Sequence, residues 1–160
     1  MLKKNPDTGI ESNTKAAMIE LLNARLADAI DLALITKQAH WNVKGPNFVG
    51  LHDLFDRVAE AAGEYGDLIA ERAVALGGVA EGTVQVVSRR SKLPEFPLAI
   101  GEWTAHVDAM RGALATFGSA ARRAIDKSTE LNDADTADLF TEVSRGIDKF
   151  LWMVEAHVQK

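Results

Sequence analysis

The residues best suited to chemistry lie between positions 52 and 71, and they are His52, Asp56, Asp67 and Glu71. His52 and Asp56 are four positions apart, so in a helix their side chains share one face about one turn apart. Asp67 and Glu71 repeat that spacing, and the eleven positions between Asp56 and Asp67 make about three turns, which puts both pairs on one face. Such side chains could bind a metal ion, and because the chain has no cysteine, His, Asp and Glu favour iron, manganese or zinc.

The distance along this helix prevents one copy of it from closing a site. The two pairs lie roughly 16 Å apart at the helical rise, whereas nitrogen and oxygen ligands bind a divalent transition metal at ~2.0–2.2 Å. His52 with Glu71 and Asp56 with Asp67 are both centred between positions 61 and 62. If two copies cross antiparallel at that point, the first pair of each copy faces the second pair of the other. Two identical metal sites would follow from one interface.

Small residues occupy the predicted crossing point. The sequence there reads Ala61-Ala62-Gly63, with Gly66 one turn further on. Glycine inside a helix costs about 0.5–1 kcal/mol relative to alanine, so a pair of glycines indicates a packing or functional reason. Close approach of two helices would be such a reason.

His40 and Trp41 lie near the end of the preceding predicted helix. If that helix packs beside the one carrying His52, His40 becomes the natural fifth ligand and Trp41 would shield the site. The competing interpretation is that these residues are surface acids and ordinary histidines, which is where most such residues are found. Because the candidates share one helical face and a common midpoint between positions 61 and 62, we favour the metal site.

Two long helices are predicted to carry these residues. The first should run from Ser12 to about Trp41, capped by Ser12 or Asn13, and Gly45-Pro46 should end the segment. Its apolar face is traced by Met18, Leu22, Leu26, Ile30 and Leu34. Asn47 is expected to cap the second helix, which should reach Leu76 and end at Gly77-Gly78. Long antiparallel helices joined by short turns are typical of a four-helix bundle.

Residues 79 to 99 interrupt the helical pattern with Gly82, Pro94, Pro97 and a β-branched patch at 83–87. A lone strand would have nothing to pair with, so this stretch is predicted to be a long crossover carrying a short helix. The third long helix should run from about Glu102 to Ser128 and the fourth from about Asp135 to Val158. The prediction is an all-α, ferritin-like four-helix bundle over 12–160, with a flexible tail at 1–11.

Composition excludes several classes of function. At 160 residues the chain fits one domain, and no charge-free apolar run is long enough to span a bilayer. Export is not expected, because no apolar stretch follows the basic start of the chain. A net charge of −5 argues against a generally basic DNA-binding surface and suits a protein that attracts cations.

Several longer motifs resemble the signature of the Dps family. They read TKQAHWNVKG at 36–45, LHDLFD at 51–56, AERAVALGG at 70–78, GTVQ at 82–85, LPEFPL at 93–98, DTAD at 135–138 and FLWMVEA at 150–156. The resemblance covers essentially everything after Ser12, and the histidine and carboxylate spacings match the inter-subunit ferroxidase centre of that family. Only the tail is unmatched.

The resemblance implies an iron-storing, DNA-protecting dodecameric shell in the cytoplasm, with association with the nucleoid left open. Fe(II) would bind between two-fold-related subunits and be oxidised preferentially by hydrogen peroxide. The implied ligands are His40, His52 and Asp56 of one subunit with Asp67 and Glu71 of its mate. Lys37 and Trp41 would have supporting roles beside the centre.

Acidic residues also gather where the fourth helix should begin. In the family, a negatively charged three-fold pore lies near this point, which makes Asp133, Asp135 and Asp138 the pore candidates. Acids at a helix start also favour the helix dipole, and this plainer interpretation is expected for at least one of them. Of the remaining large side chains, Trp152 is expected in the core, and His106 and His157 are expected at the surface.

Three other functions compete with iron oxidation inside a shell. A ferritin that holds iron within each bundle needs Glu-x-x-His pairs, and the sequence has none, since Glu102 and His106 are four apart. A DNA-compacting protein would use a lysine-rich tail, whereas this tail carries Lys3, Lys4 and Lys15 against acidic neighbours. Twelve such tails would give only weak, salt-sensitive binding. A purely structural bundle predicts no iron chemistry at all.

Overall fold

Helices make up most of the computed structural model, which describes residues 7–159. They are α1 Ser12–Asn42, α2 Phe48–Ala75, α3 Val84–Arg90, α4 Trp103–Glu130 and α5 Ala134–Glu155. The pairs α1 with α2 and α4 with α5 pack along their lengths, and contacts of α1 with α4 and of α2 with α5 close the bundle. The predicted ferritin-like four-helix bundle is therefore confirmed. No helix within residues 7–159 is long and apolar enough to span a membrane.

The core forms because each long helix buries one face. Buried residues recur three or four positions apart, as the helical period requires, and the largest are Phe55, Phe117, Phe140, Met18, Leu22, Leu32, Leu51 and Ile69. The predicted face of α1 is nearly right, although Leu34 at its end is 55% exposed and Ile30 is only partly buried. The spacing correctly assigned Leu34 to α1, but it could not show where the neighbouring helices stop covering the apolar face of α1.

The crossover between α2 and α4 contains α3, as predicted, and polar contacts hold it against α1. The Asn23 amide donates to the Val79 carbonyl at 2.9 Å and accepts from the Glu81 amide at 2.9 Å. The Arg90 guanidinium pairs with Glu20 at 2.5 Å and with Glu81 at 2.8 Å. The β-branched patch forms a helix whose backbone hydrogen bonds close within the segment, as from the Val87 amide to the Thr83 carbonyl at 2.9 Å, so it needs no strand partner.

Several predicted helix ends differ in detail. The N-cap of α1 is Glu11 rather than Ser12 or Asn13, and its side chain makes no capping hydrogen bond. Asn47 is the N-cap of α2, as predicted, but its side chain does not bond to the helix. The last helix ends at Glu155 rather than near position 158. Terminal turns depend on local hydrogen bonds that periodicity does not reveal.

Glycines fix the turns around α2. Gly45 has φ +122° and Gly77 has φ +92°, conformations that other residues rarely adopt, so both act as the predicted stops. A Cβ atom on Gly45 would lie 3.0 Å from the Trp103 ring, which shows how closely α4 packs against the α1–α2 turn.

Four side-chain expectations were wrong. Trp152 was expected in the core but is 61% exposed. His106 was expected at the surface but is 1% exposed. Lys15, counted with the tail, belongs to α1 and is 8% exposed. Asp133, a pore candidate, is buried. Positions 1–6 of the predicted flexible tail, including Lys3 and Lys4, lie outside the described residues.

Candidate metal centre

His40 and His52 meet where α1 and α2 are joined by a short turn. His40 lies in the last turn of α1 and His52 in the second turn of α2, so the antiparallel helices bring the two rings together. The rings stack with centroids 3.7 Å apart and planes inclined by 23°. His40 Nδ1 donates to the His52 carbonyl at 2.8 Å, and His52 Nδ1 donates to the His40 carbonyl at 2.9 Å. The two residues therefore hold each other reciprocally.

These hydrogen bonds decide which ring nitrogen could bind a metal. A carbonyl oxygen can only accept, so each Nδ1 must carry the hydrogen. In the neutral imidazole the remaining nitrogen, Nε2, then keeps its lone pair. A backbone carbonyl bonded to the other ring nitrogen is the usual arrangement of a metal-binding histidine. Each ring is thus oriented so that Nε2 is the nitrogen that would coordinate a metal ion.

Asp56 lies one turn beyond His52 and is paired with Lys37 of α1. The Lys37 Nζ donates to Asp56 Oδ1 at 2.5 Å, and the same oxygen lies 4.0 Å from His40 Nδ1. The hydrogen bond from Lys37 is the main reason that the pKa of Asp56 lies below its ordinary value, with the positive charge of Lys37 acting in the same direction against partial desolvation. Asp56 is accordingly held in its anionic form beside the two imidazole rings.

Asp67 and Glu71 lie further along α2, and both are exposed. Among the residues that the structure describes, no group of three or more His, Asp or Glu side chains is arranged to hold a metal ion. One chain therefore brings His40, His52 and Asp56 into one neighbourhood, while Asp67 and Glu71 remain on the open surface of the same helix. Any site that uses both sets needs more than one chain.

An apolar groove lies on the surface between these two sets. It has a volume of about 450 Å³, and its walls come from α1, α2 and the start of the crossover: Leu26, Ile30, Ala33, Leu34, Ala62, Gly63, Gly66, Asp67, Ala70, Ala80 and Gly82. A Cβ atom on Gly63 would meet nothing within 4 Å, so the small residues of α2 leave room above them. A Cβ atom on Gly66 would make only ordinary contacts, the nearest at 3.8 Å to the Ala29 Cβ atom, so packing within one chain does not require either glycine.

Two aromatic side chains lie near the histidines. Trp41, predicted to shield the site, is 66% exposed in the single chain. Phe48, which is not among the predicted site residues, packs against His52 with ring centroids 5.1 Å apart. Its position four residues before His52 on α2 was a usable signal, because side chains at that spacing are neighbours on a helix.

The acids at the start of α5 have different roles. Asp133 is 1% exposed, accepts from the Thr136 amide at 3.1 Å as the N-cap of α5, and pairs with Arg72 at 2.7 Å. The plainer interpretation is therefore correct for Asp133, and its carboxylate does not face an open passage. Asp135 and Asp138 are exposed, with Asp135 3.6 Å from the Arg72 guanidinium.

Comparison with known proteins identifies the family. The ferritin-like domain model matches residues 19–160. The DNA protection during starvation protein of Agrobacterium fabrum is 48% identical over 151 residues, which cover 94% of this chain and 93% of that protein. The chain belongs to the Dps family. The Dps structure of Mycobacterium smegmatis in a tetragonal form superposes with a TM-score of 0.92 at 28% identity, covering 100% of this chain and 96% of that one.

A second Dps structure extends the comparison. Dps from Microbacterium arborescens, solved in a high iron form, has a TM-score of 0.87 and 31% identity, covering 94% of this chain and 97% of that one. Membership in the Dps family supports iron storage and DNA protection as the class of function, and Dps homologues form oligomers.

Proposed function

We propose that this Dps chain stores and detoxifies iron. It oxidises Fe(II), preferentially with hydrogen peroxide, at ferroxidase centres between subunits, and it keeps the Fe(III) mineral inside a dodecameric cytoplasmic shell that protects DNA. The observation that carries the proposal is the His40–His52 pair, in which both Nδ1 atoms are bonded to carbonyls and both Nε2 atoms are left for a metal. A pair of ordinary surface histidines would not need this arrangement.

One subunit would supply His40, His52 and Asp56, and its mate would supply Asp67 and Glu71. The first set is nearly assembled within the chain, with Asp56 kept anionic by Lys37. The second set is exposed on the same helix and free to face another copy. Carboxylate and imidazole ligands suit iron, and they stabilise Fe(III) relative to Fe(II).

The groove between α1 and α2 is proposed as the two-fold contact, centred at Ala61 and Ala62. Its apolar wall includes Leu34, which is 55% exposed in the single chain, and burial of such a side chain favours association.

A Gly63→Phe substitution should weaken the dimer, because the new ring would occupy the space that the facing helix needs. Gly101→Phe is the matched control, since a Cβ atom on Gly101 also meets nothing within 4 Å. Sedimentation would compare the two assemblies, and equal assembly would contradict the contact.

The proposed reaction balances without a free radical product. Each of two Fe(II) ions loses one electron, and the two electrons with two protons convert one hydrogen peroxide molecule into two water molecules. The protein holds the ions and leaves open positions for the oxidant. Asp135 and Asp138, exposed at the start of α5, are the remaining candidates for a negatively charged passage that admits cations.

The test of the shared centre uses two defective variants mixed in one shell. The first carries His52→Ala and Asp56→Ala, and the second carries Asp67→Asn and Glu71→Gln. After anaerobic loading with Fe(II), each variant alone should oxidise iron slowly when peroxide is added. Random co-assembly of equal amounts should restore about a quarter of the wild-type centres. About half of the dimers would be mixed, and each mixed dimer contains one intact site and one doubly defective site.

Two results would contradict the assignment. If mixed shells were no more active than either parent, the ligands would not be shared between subunits. If the first variant matched the wild-type oxidation rate, the histidine half would have no role. Asp53→Ala is the control for Asp56→Ala, because Asp53 is an exposed acid on the same helix turn and outside the proposed ligand set.

DNA compaction with little ferroxidase activity is the alternative function. Lys15 belongs to α1 and is largely buried, which leaves Lys3 and Lys4 as the lysines of the predicted tail. Phosphate contacts by so few cations should be weak, and salt should reduce them further. A gel-shift titration at low and moderate salt would test this, and tight binding at physiological salt would favour the alternative.

A further inference from the structure

His106 lies in the bundle core without a polar partner. It is 1% exposed on α4, and neither ring nitrogen makes a hydrogen bond. Within residues 7–159, its two nitrogens are the only buried side-chain nitrogen or oxygen atoms in that condition. Burying a polar group without a hydrogen bond is costly, so an unpartnered group in a native core needs an explanation.

The crossover covers this ring from one side. Phe96 approaches His106 with ring centroids 6.0 Å apart and planes inclined by 38°. Phe96 and Leu93 are partly buried and pack against the core, and prolines at 94 and 97 flank Phe96. Beside this segment lies a cavity of about 360 Å³, whose walls include Ile35 and Ala105. The segment around Phe96 therefore has neighbouring space into which it can move.

The charged groups around His106 are all engaged elsewhere or exposed. On α4 and the crossover, Glu102 and Glu95 are exposed and Asp108 pairs with Arg111. On α5 and in the turn that follows it, Glu155 pairs with Arg111 and His157 bonds to the Met153 carbonyl. On α1, Lys37 pairs with Asp56 and His40 bonds to the His52 carbonyl. None of them bonds to the His106 ring, so a proton added there would have no counter-ion within hydrogen-bonding distance.

We propose that His106 makes the packing of the crossover sensitive to acid. While the imidazole is neutral, Phe96 and the segment 93–97 remain packed over it. When the imidazole gains a proton, the uncompensated charge in the core favours an open state in which the segment moves away and water reaches the ring. Opening would be local, because the polar contacts of Asn23 and Arg90 hold the earlier part of the crossover on α1.

The direction of the pH dependence follows from burial. Burial lowers the pKa of His106 below its ordinary value of 6.5, whereas in the open state the hydrated ring titrates normally. The open state therefore binds more protons, and the closed state loses stability as the pH falls through 6.5. Between pH 7.5 and pH 5.5 the opening equilibrium should increase by up to about tenfold.

Hydrogen exchange on the assembled protein tests this proposal. Protection factors for residues 91–100, corrected for the intrinsic pH dependence of exchange, should fall up to about tenfold from pH 7.5 to pH 5.5. His106→Leu and His106→Gln remove the titrating group and should abolish that change. His157→Gln is the control, because the His157 ring bonds to the Met153 carbonyl one turn earlier, and this variant should behave as wild type.

Three results would overturn the proposal. The first is a wild-type protection factor at 91–100 that does not change with pH. The second is an equal pH dependence in either His106 variant. The third is a loss of protection that spreads equally through α1, since a general acid effect would not be confined to the crossover. The first and third of these results come from the wild type alone, so the proposal can be overturned even if both variants fail to fold.

Discussion

Replacement of Arg72 should show how strongly the end of α2 is tied to the start of α5. The Arg72 guanidinium donates to Asp133 Oδ1 at 2.7 Å and to Thr136 Oγ1 at 3.0 Å. The Arg72 and Asp133 side chains are only 15% and 1% exposed, so solvent screens this pair little. In Arg72→Met, which keeps the length of the side chain, Asp133 would remain buried as an unpaired anion.

The expected loss is about 3 kcal/mol in the free energy of unfolding. Removing one partner of a buried ion pair typically costs about 3–5 kcal/mol. The lower end applies because Asp133 keeps two hydrogen bonds from Thr136, at 3.1 Å from the amide and 2.6 Å from the hydroxyl. In an Asp133→Asn background the group left behind is neutral, so Arg72→Met should cost only about 1 kcal/mol, the usual value of a hydrogen bond. The coupling energy would be about 2 kcal/mol, well within the range seen for contacting residues.

A double-mutant cycle measures this coupling. Denaturant unfolding of the wild type, both single variants and the double variant would be followed by circular dichroism at one protein concentration, because assembly contributes to apparent stability. Asparagine is a good N-cap, so Asp133→Asn removes the charge while keeping the cap of α5. An equal cost of Arg72→Met in both backgrounds would refute the argument that the buried charge is the source of the loss.

Three smaller changes test other parts of the structure. Gly78→Ala should destabilise the fold by about 1–3 kcal/mol, because the new methyl group would lie 2.6 Å from Ile19 Cγ2, and thermal unfolding would measure this. Gly45→Ala should also cost about 1–3 kcal/mol, since φ is +122° there; an unchanged melting temperature would contradict the strain. Lys37→Met should tighten Co(II) binding severalfold in calorimetry, because no ammonium ion would compete for the Asp56 carboxylate, whereas Lys37→Arg should bind as wild type.

The helices were predictable because their signals are local. Apolar spacing and the Gly45 and Gly77 stops fixed the long helices to within a few residues, and the lack of a pairing strand indicated a helix in the crossover. Where a side chain points in space depends on its neighbours instead. Trp152 and His106 both lie in helical patterns, yet Trp152 is 61% exposed whereas His106 is buried and packs against Phe96 of the crossover.

The site was partly predictable for the same reason. Spacing placed His52 and Asp56 on one face, and the short turn after α1 brought His40 to them. The burial of Asp133 depends on Arg72, which is 61 positions away in the sequence, and no local pattern reports such a contact. Whether Asp67 and Glu71 complete the centre stays a prediction, because their partners would come from another copy of the chain.

The reciprocal bonds between His40 and His52 affect how substitutions at this site should be interpreted. Each ring is held by a hydrogen bond to the backbone carbonyl of the other residue and by stacking against the other ring. The orientation of each imidazole therefore depends on the other. Replacing either histidine would also release its companion from its fixed rotamer and tautomer. The effects of the two single substitutions should therefore each approach the effect of the double substitution, as happens when residues act together.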